Sequence, residues 1–116
     1  MAVDVYRCLL NTLLNEDASL SGKVVNDRGS PNRWGIREED NKDLAPVSAL
    51  SLEEALQRYL CYVPAGLNQL RFQTIGNAVY DLEFNHGRTQ GVRVLQKALG
   101  VEVDGLIGEQ TLHAQA

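Results

Sequence analysis

A single acidic residue at the end of a leucine-rich segment is the strongest chemical feature of this sequence. The segment closes with Leu13-Leu14-Asn15-Glu16, and a polar stretch containing glycine follows it. An apolar helix gives a terminal glutamate a rigid, poorly hydrated base, and partial burial together with the negative end of the helix dipole raises the pKa of such a carboxyl group. A protonated carboxyl beside an open turn can donate a proton, so the pattern predicts a general acid at Glu16. The alternative is a solvated glutamate at a helix end.

The polar stretch after Glu16 contains a second carboxylate and two side chains that can contact a ligand. Asp27 is the candidate for this second carboxylate, either orienting water or stabilising positive charge. Its alternative is an Asx-type turn in which it bonds its own backbone. Asn32 offers an amide for hydrogen bonding, and Trp34, the only tryptophan, offers a ring face for stacking. The alternatives are a polar loop residue for Asn32 and a plug in the core for Trp34.

One further candidate lies in the C-terminal half of the chain. Asp81 and Asn85 are four residues apart, which places them on one face of a helix. Asn85 is a candidate for substrate binding, and a structural hydrogen bond is its alternative. For Asp81 we favour the structural role.

The composition limits the class of protein. The 116 residues are 44% hydrophobic and 22% charged, which is typical of one ordinary globular domain, 1–116. A net charge of −4 argues against nucleic acid or an anionic membrane surface as the partner. The two histidines lack paired cysteines, so no metal site and no other cofactor is expected. No apolar run is long enough to insert into a membrane, and Cys8 and Cys61 are predicted to be buried thiols.

Hydrophobic periodicity predicts a mainly α fold with at most a short β-hairpin. Apolar residues recur at steps of three and four over 2–16, and Ser51-Leu52-Glu53-Glu54 has the form of a capping box that opens a second helix. Gly87 and Gly100 stand where left-handed residues would end two later helices. The other predicted elements are a strand at 23–26, a solvated charge run at 37–43, helices over about 68–85 and 89–99, a tight turn at Asp104-Gly105, and a last helical turn from Gly108.

Several fixed positions agree with one known family. The N-terminal part resembles glycoside hydrolase family 108, in which a leucine-rich helix ends in Glu-Gly-Gly-Tyr and a turn of the form Asp-Pro-Gly-Gly-x-Thr-x-Tyr-Gly-Ile follows. Glu16 takes the position of the family's glutamate, and the residues that match the turn are Asp27, Gly29, Trp34, Gly35 and Ile36. Two C-terminal strings resemble the family's helix end and, in shortened form, its associated peptidoglycan-binding region: Tyr80-Asp81-x-x-x-Asn85-x-Gly87 and Leu95-Gln96-x-x-Leu99-Gly100-x-x-x-Asp104-Gly105-x-x-Gly108-x-x-Thr111.

This resemblance implies a small lysozyme-like domain, with a glycoside hydrolase part at 1–66 and a helical peptidoglycan-binding part at 67–116. It implies an N-acetylmuramidase that cleaves the β-1,4 bond between N-acetylmuramic acid and N-acetylglucosamine in the glycan strands of peptidoglycan, with Glu16 as general acid. The expected source is a phage or prophage endolysin, and the expected form is a monomer. Without a recognisable signal peptide, we expect it to be made in the cytoplasm and to reach the cell wall through a holin-type pore or a dedicated export step.

The sequence also departs from the family pattern. Asp17 and Ala18 replace the two glycines that follow the family's glutamate, Ser30 replaces a turn glycine, and Asn32 replaces a threonine. These changes favour the alternative function, a peptidoglycan-binding protein of the same fold without catalytic activity. Hydrolysis of the peptide stem ranks last, because such enzymes usually need zinc and the chain lacks a convincing set of ligands.

Overall fold

The structure, a computed structural model, describes residues 2–115, and this part of the chain is mainly helical. Its α-helices are α1 (Val5–Glu16), α2 (Leu52–Leu60), α3 (Gln73–His86), α4 (Gln90–Leu99) and α5 (Glu109–Gln115). Its strands are β1 (Val25–Asp27), β2 (Ser30–Arg33) and β3 (Ile36–Arg37). Short 3-10 turns occupy Glu38–Asp40, Lys42–Leu44, Val47–Ala49 and Leu67–Gln69. The predicted mainly α fold with a small β element is confirmed, and the sheet has one strand more than a hairpin.

The chain groups into two compact units. One comprises the residues up to Thr12 together with those from Tyr59 onward, and the other is Leu13–Arg58. The predicted parts 1–66 and 67–116 divide the chain at a different place, and the single compact domain stays a prediction.

The unit Leu13–Arg58 contains an antiparallel sheet with the strand order β1-β2-β3. Asp27 pairs with Ser30 across a two-residue connection, Arg28-Gly29, in which both residues have positive φ (51° and 83°). Two positive φ angles define a type I′ turn, whose twist matches that of the flanking strands. Asn26 stabilises this turn, because its Oδ1 accepts the N–H of Gly29 at 2.9 Å.

The charge run at 37–43 is solvated only in part. Glu39, Asp40, Lys42 and Asp43 are exposed, as the sequence predicts, whereas Arg37 and Glu38 are half-buried and Asn41 is buried. Arg37 donates from Nε to the carbonyl of Asp27 at 3.0 Å, and the carboxylate of Glu38 accepts the N–H of Val47 at 2.9 Å. Asn41 is buried and donates to the carbonyl of Arg37 at 2.8 Å. The bond from Arg37 ties the segment to β1, and the bond from Val47 to Glu38 ties it to a later turn. A charge pattern alone does not reveal these contacts.

The predicted capping box at the start of α2 is confirmed. The hydroxyl of Ser51 accepts the N–H of Glu54 at 3.1 Å, and the carboxylate of Glu54 accepts the N–H of Ser51 at 3.0 Å. Two N–H groups that lack partners at a helix start are thereby satisfied.

Helix α1 differs from its prediction at the start and in its buried face. It begins at Val5 because Asp4 acts as the N-cap, its Oδ1 accepting the N–H of Tyr6 at 3.0 Å. The apolar face that was expected along the helix is split. The buried residues are Cys8, Leu9, Thr12 and Leu13, whereas Tyr6, Leu10 and Leu14 are exposed.

In the other unit, α3 and α4 pack backbone against backbone. A Cβ atom built on Gly91 would lie 2.0 Å from the carbonyl oxygen of Val79, so only glycine fits at this crossing. The buried carboxylate of Glu83 on α3 accepts the N–H groups at the start of α4, those of Thr89 at 2.8 Å, Gly91 at 2.6 Å and Val92 at 3.2 Å. A carboxylate at a helix N-terminus satisfies those donors and matches the positive end of the helix dipole.

The predicted glycine helix ends are found in two forms. Gly100 ends α4 in the left-handed conformation (φ 72°, ψ 26°), as predicted. Gly87 ends α3 with a positive φ of 110° but an extended ψ of 156°, which differs from the predicted left-handed residue.

Candidate functional site

Glu16 is the last residue of α1, and its side chain is exposed. It follows the buried residues Thr12 and Leu13 by four and three positions, so it continues their face of the helix by one more turn. The partial burial expected from the sequence is not found. A role as general acid stays a prediction.

Asp17 closes the loop that follows α1. Its carboxylate accepts the N–H of Gly22 at 2.9 Å, the N–H of Ser21 at 3.1 Å and the hydroxyl of Ser21 at 3.2 Å. These hydrogen bonds, that of Gly22 first, lower the pKa of Asp17 below its ordinary value. The residue that stands where the family has glycine is therefore a charged anchor of this loop.

Asp27 and Asn32 are the two candidate residues that the structure brings together. The amide of Asn32 donates to Oδ2 of Asp27 at 3.2 Å, and Nε of Arg28 lies 3.4 Å from Oδ1. The alternative of an Asx-type turn at Asp27 is wrong, because Asn26 provides the side chain that accepts the N–H of Gly29. Asp27 is thus available to act as a carboxylate held by a neighbouring amide, and its side chain is 36% exposed.

Trp34 lies half-buried with its indole ring against the backbone. A Cβ atom at Gly22 would come within 2.5 Å of the ring, and Nε1 of Trp34 donates to the carbonyl of Leu50 at 3.2 Å. The guanidinium of Arg33 lies 5.4 Å from the ring centroid. These contacts support the plug that the sequence analysis gave as the alternative, and stacking on a sugar stays a prediction.

Asn85 belongs to the other unit, where it is exposed near the end of α3. Its amide donates to the carbonyl of Asp81 one turn earlier at 3.0 Å. The carboxylate of Asp81 accepts the hydroxyl of Thr12 at 2.9 Å, which is a structural contact of the kind favoured for this residue. Binding of substrate by Asn85 stays a prediction.

The sequence analysis missed the role of Gln96 within the C-terminal string. Its buried amide donates to Leu106 O at 2.8 Å, to Asp104 Oδ1 at 2.9 Å and to Thr111 Oγ1 at 3.1 Å. Its Oε1 accepts the N–H groups of Asp104 at 3.1 Å and Gly105 at 3.0 Å. One side chain therefore ties the turn at 104–106 to α4 and α5, and this network explains four positions of the string: Gln96, Asp104, Gly105 and Thr111.

One expectation outside the candidate site is also decided. Cys8 is buried, but Cys61 is exposed, so the prediction of two buried thiols is wrong for Cys61, which lies just after α2. Within residues 2–115, the histidines, cysteines and acidic residues form no group of three or more that could hold a metal ion. None of the helices described is both long and apolar enough to cross a membrane.

The chain is similar in structure to a solved protein, SagA of Brucella abortus. The match covers 96% of this chain and 67% of SagA, with a TM-score of 0.73 and a sequence identity of 24%. At this identity, the likeness shows a shared fold. No protein-family model matches the sequence, and the comparison with curated proteins gives no match. The resemblance to glycoside hydrolase family 108 therefore stays a prediction.

Proposed function

We propose that this chain acts on peptidoglycan as a muramidase, cleaving the β-1,4 bond between N-acetylmuramic acid and N-acetylglucosamine. The proposal rests on one observation. Glu16 ends α1 in the same unit that holds Asp27, and the carboxylate of Asp27 is fixed by the amide of Asn32. Two carboxyl groups with different surroundings are the minimum that this hydrolysis requires.

In this mechanism, Glu16 donates its proton to the glycosidic oxygen as the bond to the anomeric carbon breaks. Asp27 stabilises the positive charge that develops at that carbon, or it takes a proton from the attacking water. The water adds its hydroxyl to the anomeric carbon and gives up one proton. Where Asp27 only stabilises the charge, that proton goes to Glu16 and restores its protonated carboxyl group. Where Asp27 takes the proton, Asp27 releases it to solvent and Glu16 is reprotonated from solvent. The protein would act as a monomer, without metal or organic cofactor, and as a phage or prophage endolysin it would require a pore or an export step to meet the wall.

The second candidate is a protein that binds peptidoglycan without cleaving it. The exposure of Glu16 favours it, because a general acid of this class depends on removal of water from its carboxyl group. The side chain of Asp17 adds to this argument, because it stands where the resembling family has glycine and is used to hold the loop after α1, its carboxylate accepting the N–H of Gly22 at 2.9 Å.

A hydrolysis assay on isolated sacculi tests the proposal. Wild-type protein, Glu16→Gln, Asp27→Asn and the control Glu39→Gln are each incubated with sacculi, and new reducing ends are counted. Glu39 is exposed in the same unit and is not part of the proposed site. Loss of the general acid typically costs about 100-fold or more in rate. We therefore expect at least that loss for Glu16→Gln and no change for Glu39→Gln.

The same incubations separate the two candidates. Sedimentation of the protein with sacculi, without reducing ends from wild type, would support the binding protein and reject the muramidase. Equal release by wild type and Glu16→Gln would reject Glu16 as the acid. A protein that neither sediments nor releases fragments would reject both functions.

A further inference from the structure

A small pocket lies in the unit that contains the C-terminal half of the chain, whereas Glu16 and Asp27 belong to the other unit. Its lining includes Tyr62, Val63, Pro64, Arg88 and Leu106. The cavity has a volume of about 160 Å3, which at roughly 30 Å3 per water molecule is the space of about five waters. One small amino-acid residue fits a space of this size.

Arg88 is the cation of this pocket, and aromatic rings hold it in place. Its guanidinium lies 5.6 Å from the ring centroid of Tyr62. Tyr62 makes an edge contact with Phe84 at 5.2 Å, and Phe84 stacks on the fully buried Tyr59 at 4.4 Å. A ring face fixes the plane of a guanidinium and leaves its N–H edge available. In the part of the chain that the structure describes, the Arg88 guanidinium makes no hydrogen bond or ion pair, so this edge is open to a ligand.

The other wall of the pocket is the apolar side chain of Leu106, which is exposed because hydrogen bonds fix the backbone of this residue. The side chain of Leu106 is 67% exposed, although its backbone is bonded on both sides. Its N–H donates to Asp104 at 2.9 Å, and its carbonyl accepts from the amide of Gln96 at 2.8 Å. A large apolar group kept in water by fixed hydrogen bonds gains free energy when a ligand covers it.

The carboxylate of Glu83 also borders the pocket, but it is not available to repel an anion at close range. It is 2% exposed, and both of its oxygens accept N–H groups at the start of α4. Helix-terminal donors of this kind offset the charge of a carboxylate.

We propose that this pocket binds the carboxylate end of a peptide whose last residue is small and apolar. The carboxylate pairs with the two N–H groups on the open edge of Arg88, a geometry in which guanidinium and carboxylate match. The short side chain lies against Val63, Pro64 and Leu106. That the ligand is a peptide of the cell wall, which ends in D-alanine, rests on the proposed function above. That the pocket binds a carboxylate does not depend on that function, because it is argued from Arg88 and the pocket lining.

The test titrates the full chain with three probes: N-acetyl-D-alanine, N-acetyl-L-alanine and N-acetyl-D-alaninamide. Binding of each probe is measured from the NMR chemical shifts of the protein. We expect millimolar binding of an acid form, with shifts at Tyr62 and Leu106, and at least tenfold weaker binding of the amide. Arg88→Gln weakens binding of the acid by at least tenfold, as loss of a charged hydrogen bond requires. Lys97→Gln is the matched control, because it removes the same charge from an exposed position of α4 outside the pocket.

Two further results complete the test. Leu106→Ala is expected to weaken the acid several-fold while keeping the preference for acid over amide. Equal binding of acid and amide, equal effects of Arg88→Gln and Lys97→Gln, or no shift at the pocket would overturn the proposal. Preference for the L-form would leave the carboxylate pocket standing and reject the wall peptide as its source. None of these measurements needs cleavage of glycan, so failure of the muramidase assay is a separate result.

Discussion

Replacing Gln96 with leucine removes a buried amide and leaves its partners without hydrogen bonds. The two side chains have similar volumes, so the substitution changes polarity more than packing. Asp104 is exposed and can turn to water, but Gly105 and Thr111 are buried. Each buried group left unpaired costs about 1–3 kcal/mol. The two together cost about 2–6 kcal/mol, and burial of the leucine offsets part of this.

We therefore expect Gln96→Leu to lower the free energy of unfolding by about 2–5 kcal/mol. Urea unfolding followed by circular dichroism at the helical band measures it, with the slope against urea checked for constancy. Gln90→Leu is the control, because Gln90 is exposed in the same helix and its side chain is not part of the network. We expect this control to stay within about 0.5 kcal/mol of wild type.

A loss below about 1 kcal/mol for Gln96→Leu would refute the reasoning, since the two buried partners of this amide, Gly105 and Thr111, should cost more than that when they are left unpaired. An equal loss in Gln90→Leu would also refute it, because the effect would then come from leucine on this helix and not from the network.

Three other predictions concern groups with a clear physical role. Glu83→Gln turns an amide N–H toward the start of α4, and we expect thermal unfolding to show a loss of about 2–4 kcal/mol. The N–H of Gly22 lowers the pKa of Asp17 in the folded state. The ionised carboxylate therefore stabilises the fold fully at pH values above its unfolded pKa of about 3.9, and this stabilisation is lost as the pH falls through the lower folded pKa. Unfolding midpoints from pH 5 downward should fall less steeply in Asp17→Asn than in wild type, and parallel curves would contradict this. Burial raises the pKa of Cys8 to about 11, so a thiol reagent at neutral pH should label the exposed Cys61 in the native protein and reach Cys8 only after unfolding.

Features that depend on neighbouring residues could be predicted from the sequence. The capping box of Ser51 and Glu54 needs only the first turn of its own helix. The left-handed end at Gly100 likewise follows from the lack of a side chain at that position. Both the capping box and the left-handed helix end depend only on residues within one helical turn, so the residue types alone were enough to predict them.

Features that depend on distant residues could not be predicted in this way. Asp27 and Asn26 are equally able to support the turn at Gly29, and although this bond is local, the choice between them depends on how β1 pairs with β2, which the residue types do not specify. The exposure of Leu10 has the same origin, because periodicity gives the faces of α1 but not which of them meets a neighbour. Gln96 was recognised as a member of a string, yet its function as a hydrogen-bonding centre requires the positions of residues up to fifteen places away.

The backbone contact at Gly91 has a consequence for exchange with solvent. At Gly91 the backbone of α4 lies directly against the carbonyl of Val79 on α3, so water reaches this point only when the two backbones move apart. The amide proton of Gly91 is bonded to the carboxylate of the buried Glu83, so its exchange for deuterium requires this opening. Among the amides of this unit, it should therefore be one of the slowest to exchange, and its rate should follow the opening of the helix pair as a whole.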